Sequence, residues 1–352
     1  MQTRTYFLGA NTPEGFSSLY DALFADTRIR KLYVLKGGPG CGKSTLMRTA
    51  AAAASELGCD TEQILCSSDP DSLDALIVPQ AGLALVDGTA PHVVEPPLCG
   101  LGACYLDLGR FYDGERLAKD REALREAKEK NTACYPLCYL ALRAAGAASE
   151  GLRRIASAGL PPTLLPELLE ELLPPLPKRS TAQPPLRRYL RGVTPQGLLS
   201  LPSGCGRHVV LRDSFGLSAP LLSRIAAFCA EQGCPAVLCP DPLAPASLQA
   251  VLIPEAELAF SVASRLYPQE TDAQPQADLD ALILQRLSYE KTQRLEGLEQ
   301  LRVAAVHEAL RHLAAAKRHH DALEALYRPA VDFDGVSEAA RQLVRTLTQM
   351  LS

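Results

Sequence analysis

Gly37-Gly38-Pro39-Gly40-Cys41-Gly42-Lys43-Ser44-Thr45 has the residue types and the spacing of a phosphate-binding loop, G-x-x-x-x-G-K-[ST]. Glycines let backbone N–H groups turn inward around an anion, and the N-terminus of a following helix adds its positive dipole end. In such a loop the Lys43 ammonium reaches the β- and γ-phosphates of a nucleotide, and the Ser44 hydroxyl ligates Mg²⁺. A second carboxylate-bearing element is Gly82-Leu83-Ala84-Leu85-Val86-Asp87, an apolar strand run closed by an acid, as in a Walker B strand. Asp87 is therefore expected to hold the metal together with Ser44. His92, just beyond, is a candidate for positioning water or sensing the γ-phosphate, which makes the expected catalytic set Lys43, Asp87 and His92. Asp69 and Asp74 stand behind His92 for the same task, although Asp74 also reads as a solvated side chain beside a strand start.

These residues need a strand, a loop and a helix to hold them. The run Leu32-Tyr33-Val34-Leu35 precedes the loop, and Leu46 to Ala54 continues it as a helix. Further strands are expected near 61–67, 74–79 and 82–87, with Asp69-Pro70 as a turn, which together imply a mostly parallel sheet covered by helices. Thr12-Pro13 reads as a helix N-cap with its N1 proline. Residues 115–158 are helix-rich, with a break expected near Asn131 and Pro136. Alternating charges over 121–130 mark a solvated face. Eight prolines between 160 and 185 suggest a linker enclosing a short amphipathic helix, and 268–275 a second hinge. Residues 281–327 are again helical, and Lys317-Arg318-His319-His320-Asp321 reads as a solvated end, because adjacent helical side chains diverge by about 100°.

The chain also repeats itself. Thr12-Pro13-Glu14-Gly15 recurs as Thr194-Pro195-Gln196-Gly197, and Gly58-Cys59 as Gly233-Cys234. Residues 72–85 align without a gap on 247–260, with seven of fourteen positions identical. The unit is about 175 residues long, a tandem duplication. In the second copy the strand before the loop survives as Val209-Val210-Leu211, but Gly37 becomes Asp213, Gly42 Ser218, Lys43 Ala219 and Ser44 Pro220. Only Gly40 persists, as Gly216, and Asp87 is replaced by Val262. Lysine, metal hydroxyl and carboxylate disappear together, as shared chemistry requires. The expected organisation is an active lobe with a helical extension over 1–158, a Pro-rich linker over 159–186 and a degenerate lobe with C-terminal helices over 187–352. The fold class is α/β, a tandem duplication of a P-loop-type parallel-sheet lobe plus helical segments, with a degenerate phosphate loop in the second lobe.

Composition narrows the partners. A net charge of −4 gives no electrostatic reason to expect nucleic acid. No apolar run reaches the ~18–20 residues of a membrane span, and the first residues lack a secretory core, so a cytoplasmic protein is expected. Eleven cysteines without a C-x-x-C pair argue against a disulfide framework or a zinc ribbon.

The loop resembles that of the P-loop NTPase superfamily over about residues 30–90. The fuller pattern is similar to a family of duplicated bacterial P-loop proteins described as ATPases. Its carriers are Asn11-Thr12-Pro13-x-Gly15-Phe16, the 35–47 loop segment, Cys66-Ser67-Ser68-Asp69-Pro70-Asp71-Ser72-Leu73-Asp74 and Val86-Asp87-Gly88-Thr89-Ala90-Pro91-His92. That resemblance implies ATP and Mg²⁺ binding, although both halves tend to keep the loop in that family and here one does not. The leading expectation is a slow Mg-dependent ATPase that moves its lobes or switches a protein partner. Slow turnover is expected because Gly88 stands where many motor-type ATPases place a glutamate. Arg110, Arg116 and Arg212 are the candidate arginine fingers, with a solvated role as the default. A kinase for a nucleotide or other small-molecule acceptor, and a nucleotide-gated protein-binding scaffold, are the alternatives.

Overall fold

The protein is seen here in a computed structural model that describes residues 2–90, 93–96, 100–176, 184–268 and 275–351. Its first half runs β1 (Thr3–Tyr6), β2 (Gly9–Thr12), β3 (Gly15–Ser18), α1 (Ala22–Ala25) and β4 (Lys31–Lys36). Then come α2 (Lys43–Glu56), β5 (Thr61–Cys66), β6 (Asp69–Val78), β7 (Leu83–Asp87) and β8 (Ala103–Asp107). Three helices close it: α3 (Gly114–Lys119), α4 (Arg121–Ala156) and α5 (Leu164–Leu172). The second half follows with β9 (Leu186–Arg187), β10 (Arg191–Thr194), β11 (Gly197–Ser200), β12 (Arg207–Arg212) and α6 (Ala219–Glu231). It ends in β13 (Val237–Asp241), β14 (Ala244–Ile253), β15 (Leu258–Ala263), β16 (Ala277–Asp278), α7 (Leu279–Leu284), α8 (Tyr289–Tyr327) and α9 (Phe333–Leu351).

The halves have one topology. The first sheet is ordered β1-β5-β6-β7-β4-β8 and the second β9-β13-β14-β15-β12-β16, six strands each, read from the edge where they correspond. In both, the long middle strand (β6 or β14) is antiparallel to its two neighbours and the other pairings are parallel. The result is a two-lobe α/β fold with mixed, mostly parallel sheets. Apolar runs such as Leu83 to Val86 are buried in full because both sheet faces are covered. Among the described residues no helix is long and apolar enough to cross a membrane.

Local chemistry explains the repeated short motifs. Gly58 and Gly233 end α2 and α6 with φ of +75° and +70°, the left-handed conformation that glycine adopts at a helix C-terminus. There the Cys59 and Cys234 amides donate back to Ala54 and Cys229. Thr12-Pro13 does not cap a helix. It is the tip of the β2–β3 hairpin, where Thr12 Oγ1 donates to Gly15 O at 2.8 Å and accepts from Glu14 N. Thr194 does the same at the β10–β11 tip. Glycine at the fourth position, at φ +112° and +119°, closes the tight turn and leaves no helix to cap. Asp69-Pro70 opens β6 rather than forming the turn, which falls on Ser67-Ser68.

The break expected near Asn131 and Pro136 is absent, and α4 is continuous over 36 residues. It packs antiparallel against the 39-residue α8. Asn131 Nδ2 donates to Ala316 O, and Gly151 lies against Leu298. Cys138, Leu142 and Ala145 share a core with Val306, Ala309 and Leu313. That seam sustains the helix past the amide lost at Pro136.

The halves meet residue on counterpart. The hairpin alignment makes Phe7 equivalent to Tyr189, and these two exchange both backbone hydrogen bonds, at 2.9 and 2.8 Å. Asn11 Nδ2 donates to the carbonyl of its own equivalent, Val193. The helices after each half then trade sides. Ala340, Leu343 and Leu347 of α9 pack on Leu46, Met47 and Ala50 of α2. Leu168 of α5 packs with Leu221, Leu222 and Ile225 of α6. An ion cluster joins the halves near this seam. Arg188, fully buried, lies 3.4 Å from Asp26 and 3.2 Å from Glu62, and Arg28 binds the same two carboxylates. Burial works to raise both acids, but the guanidinium groups outweigh it and hold them below their ordinary values of 3.8 and 4.5.

A lowered carboxylate stabilises the fold above its unfolded pKa, and that stability is lost as pH falls through the folded value. Arg188→Met leaves two buried acids sharing one arginine and is expected to cost about 3–5 kcal/mol at neutral pH. Urea denaturation should show the deficit shrinking below about pH 4.5, where protonation relieves the stranded carboxylates. A deficit that does not change with pH would refute this account.

Candidate functional site

The register of β4 on β7 places Leu35 opposite Asp87, so the strand end that feeds the glycine-rich loop lies beside the carboxylate. Lys43, the first residue of α2, turns back into the loop. Its Nζ donates to Gly37 O at 2.5 Å and Gly38 O at 3.1 Å and lies 3.5 Å from Asp87 Oδ2. Asp87 Oδ1 is held by the amide and hydroxyl of Thr89, at 2.9 and 2.6 Å, which leaves Oδ2 turned to the lysine. Ser44 Oγ accepts from the Leu73 amide at 2.9 Å, so β6 fixes the hydroxyl while a second lone pair remains available. Gly40 and Gly42, at φ +70° and +89°, supply the left-handed turns that curl the loop amides. Cys41 is buried behind it, and burial pushes its thiol up, keeping it neutral beside Lys43.

Several sequence expectations change here. Gly88 follows Asp87 because no side chain fits, since a Cβ would overlap Val34 Cγ1, and Lys36 Nζ donates to Gly88 O. Asp74 is buried rather than solvated, and accepts the Tyr20 hydroxyl at 2.9 Å. Asp69 accepts from Ser72 and lies 3.5 Å from Lys317. Lys317 is thus not part of a solvated end. It also pairs with Asp321, and these acids hold its ammonium above the ordinary range although burial opposes this. The solvated role expected of Arg110, Arg116 and Arg212 holds, since all three are exposed, Arg110 over the Phe111 ring and Arg212 paired with Asp278. His92 lies outside the described residues.

Residues from the far end of the chain cover the loop. Glu324 Oε1 accepts the Gly40 amide at 3.2 Å. A Cβ on Gly40 would meet Arg328 Cγ at 3.2 Å, and one on Gly42 would meet Val336 Cγ1 at 3.1 Å. Tyr112 donates to Pro39 O at 2.8 Å, and its ring packs on Tyr327 with centroids 5.3 Å apart. His320, Asp321 and Glu324 bring ligand-type atoms within 4.8 Å of one another, but Asp321 is engaged by Lys317 and Glu324 by Gly40. None of Glu324, Tyr327 or Arg328 was marked by motif. The available signal was a second recurrence, Glu150-Gly151-Leu152-Arg153-Arg154 against Glu324-Ala325-Leu326-Tyr327-Arg328.

The altered loop after β12 carries its own anion. Asp213, in place of Gly37, is buried, and it accepts from Phe215 N, Ser218 N and Ser218 Oγ at 3.0, 2.6 and 2.7 Å. The carboxylate is not turned outward to repel a phosphate. It takes the amides itself. Ser214 is fixed in turn by Asp280 and by Arg302, which donates to Ser214 O at 3.0 Å. Comparison with protein families, curated proteins and solved structures gives no match.

Removing the internal anion strands three buried donors. Asp213→Ala is expected to cost about 3 kcal/mol, read as a lowered guanidinium midpoint with an unchanged slope. A loss within about 0.5 kcal/mol would mean that the loop does not depend on this carboxylate.

Proposed function

We propose that the chain is an ATP-binding P-loop NTPase, a slow Mg-dependent ATPase with one working nucleotide site. The observation that carries this reading is Lys43, 3.5 Å from Asp87, folded into a curled, glycine-bearing loop at the start of a helix whose next residue is Ser44. On this reading the amides of Gly38 and of residues 40–43, with the α2 N-terminus, hold the phosphates, and Lys43 leaves the Gly37 and Gly38 carbonyls for the β/γ-phosphates. Mg²⁺, when bound, neutralises the charge on the transferred phosphoryl group, and Ser44 and Asp87 are the residues placed to hold it. Gly88 offers no carboxylate to activate water, which favours slow intrinsic turnover. ATP over GTP rests on the absence of an Asn-Lys-x-Asp recognition segment and on the resemblance stated above. Because α8 reaches from the altered loop to the intact one, hydrolysis is read as a means of moving the halves or of switching a partner.

The test is γ-phosphate release from MgATP, with nucleotide binding measured in parallel. One nucleotide per chain, slow release, and a loss of about 10²-fold or more in Lys43→Ala and Asp87→Asn are expected. Tight binding with release equal to that of Lys43→Ala would remove the ATPase assignment and leave a nucleotide-gated scaffold. Two nucleotides per chain would contradict the silent second loop.

A further inference from the structure

Glu324 and Arg328 are one helical turn apart at the end of α8, a spacing at which glutamate and arginine ordinarily pair with each other. They do not do so here. Glu324 instead places its carboxylate on the amide of Gly40. The stem of Arg328 lies against the same glycine, yet its guanidinium makes no hydrogen bond or ion pair among the described residues. The other half provides an internal control. Glu150 and Arg154 are the aligned residues at the end of α4, and there the pair is closed, with Arg154 Nε 2.8 Å from Glu150 Oε1. Arg153, whose Cδ lies 3.9 Å from where a Cβ on Gly216 would be, is bound to Glu150 as well. That loop already holds Asp213. The pair is open only where the loop lacks an anion of its own.

We propose that Glu324 and Arg328 read the terminal phosphate of the nucleotide and set the preference for triphosphate over diphosphate. Without a γ-phosphate, the Glu324 carboxylate occupies the Gly40 amide. A γ-phosphate arriving at that amide displaces Glu324 by charge repulsion and binds the Arg328 guanidinium, which is charged at every working pH and suited to phosphate oxygens. One end of α8 therefore holds the loop through an anion in one state and through a cation in the other. The same helix is fixed on the altered loop by Arg302, about 33 Å from Glu324 along its axis. Thus the exchange at Gly40 is transmitted to the second half. This inference rests on the nucleotide reading above.

The experiment measures affinity of the full chain for MgADP and for a non-hydrolysable MgATP analogue, in wild type, Arg328→Gln, Glu324→Gln and Arg154→Gln. Arg328→Gln should weaken the triphosphate about tenfold and leave the diphosphate within about twofold. Glu324→Gln should tighten the triphosphate more than the diphosphate, and Arg154→Gln should change neither. Amide exchange across 320–336 should differ between the two nucleotides in wild type and not in Arg328→Gln. A triphosphate-to-diphosphate ratio unchanged by Arg328→Gln, or shifted equally by Arg154→Gln, overturns the sensor while leaving the nucleotide site standing. Absence of binding by both nucleotides in folded wild type and Glu324→Gln overturns the nucleotide reading itself. Arg328 is exposed, so its substitution does not test folding.

Discussion

Backbone hydrogen bonds between a residue and its own repeat counterpart, Phe7 with Tyr189, constrain everything else in the molecule. Two equivalent residues can face each other in this way only across a two-fold relation, so one pair of bonds fixes how the halves are placed. The antiparallel seam of α4 and α8 and the traded helices α5 and α9 follow from it. Each half buries its loop helix under apolar side chains from a segment that continues the other half. Neither sheet lobe is finished by the stretch of chain that builds it, although the cluster of Arg188, Arg28, Asp26 and Glu62 ties them close to where the chain crosses.

Both loops satisfy their amides with a carboxylate, by different routes. Asp213 reaches the Phe215 and Ser218 amides from within its own loop, so the anion is a permanent part of the backbone turn. Glu324 reaches Gly40 from a separate helix, so its bond opens when the helix end and the loop separate. A buried N–H left unpaired costs free energy comparable to a lost hydrogen bond, and in the second loop Asp213 removes that cost, whereas the Gly40 amide is only partly buried. The first arrangement is closed within one loop, and the second depends on two separate elements.

The duplication, the strand before and the helix after each loop, and the placing of Lys43 beside Asp87 are legible because they rest on local pattern. A strand-loop-helix with glycines at fixed offsets has few alternative geometries. Threonine before proline suits a helix start as well as a turn, and what selects the hairpin is the glycine two residues after the proline, Gly15 or Gly197. Pro136 has the local signature of a break, and the packing that carries α4 through it comes from α8, far away in sequence. Asp74 carries two readings in the sequence, a water-positioning acid or a solvated side chain, and the solvated one fails because its partner is the buried Tyr20, distant in sequence. Glu324 and Arg328 were invisible for the same reason as the α8 seam, since a surface helix end acquires meaning only when the fold lays it on a loop nearly three hundred residues earlier.

The traded helices have a consequence for how such an assembly keeps its composition. A symmetric dimer with the same contacts would form from two identical chains, and both loops would have to be intact or both altered. Joining the copies in one polypeptide lets them diverge while the ratio between them stays one to one, with no free copy to pair with its own kind. The altered lobe can then change its own loop and still be retained, because its C-terminal helices are the roof of its neighbour's loop. Covalent linkage here does the work of partner selection.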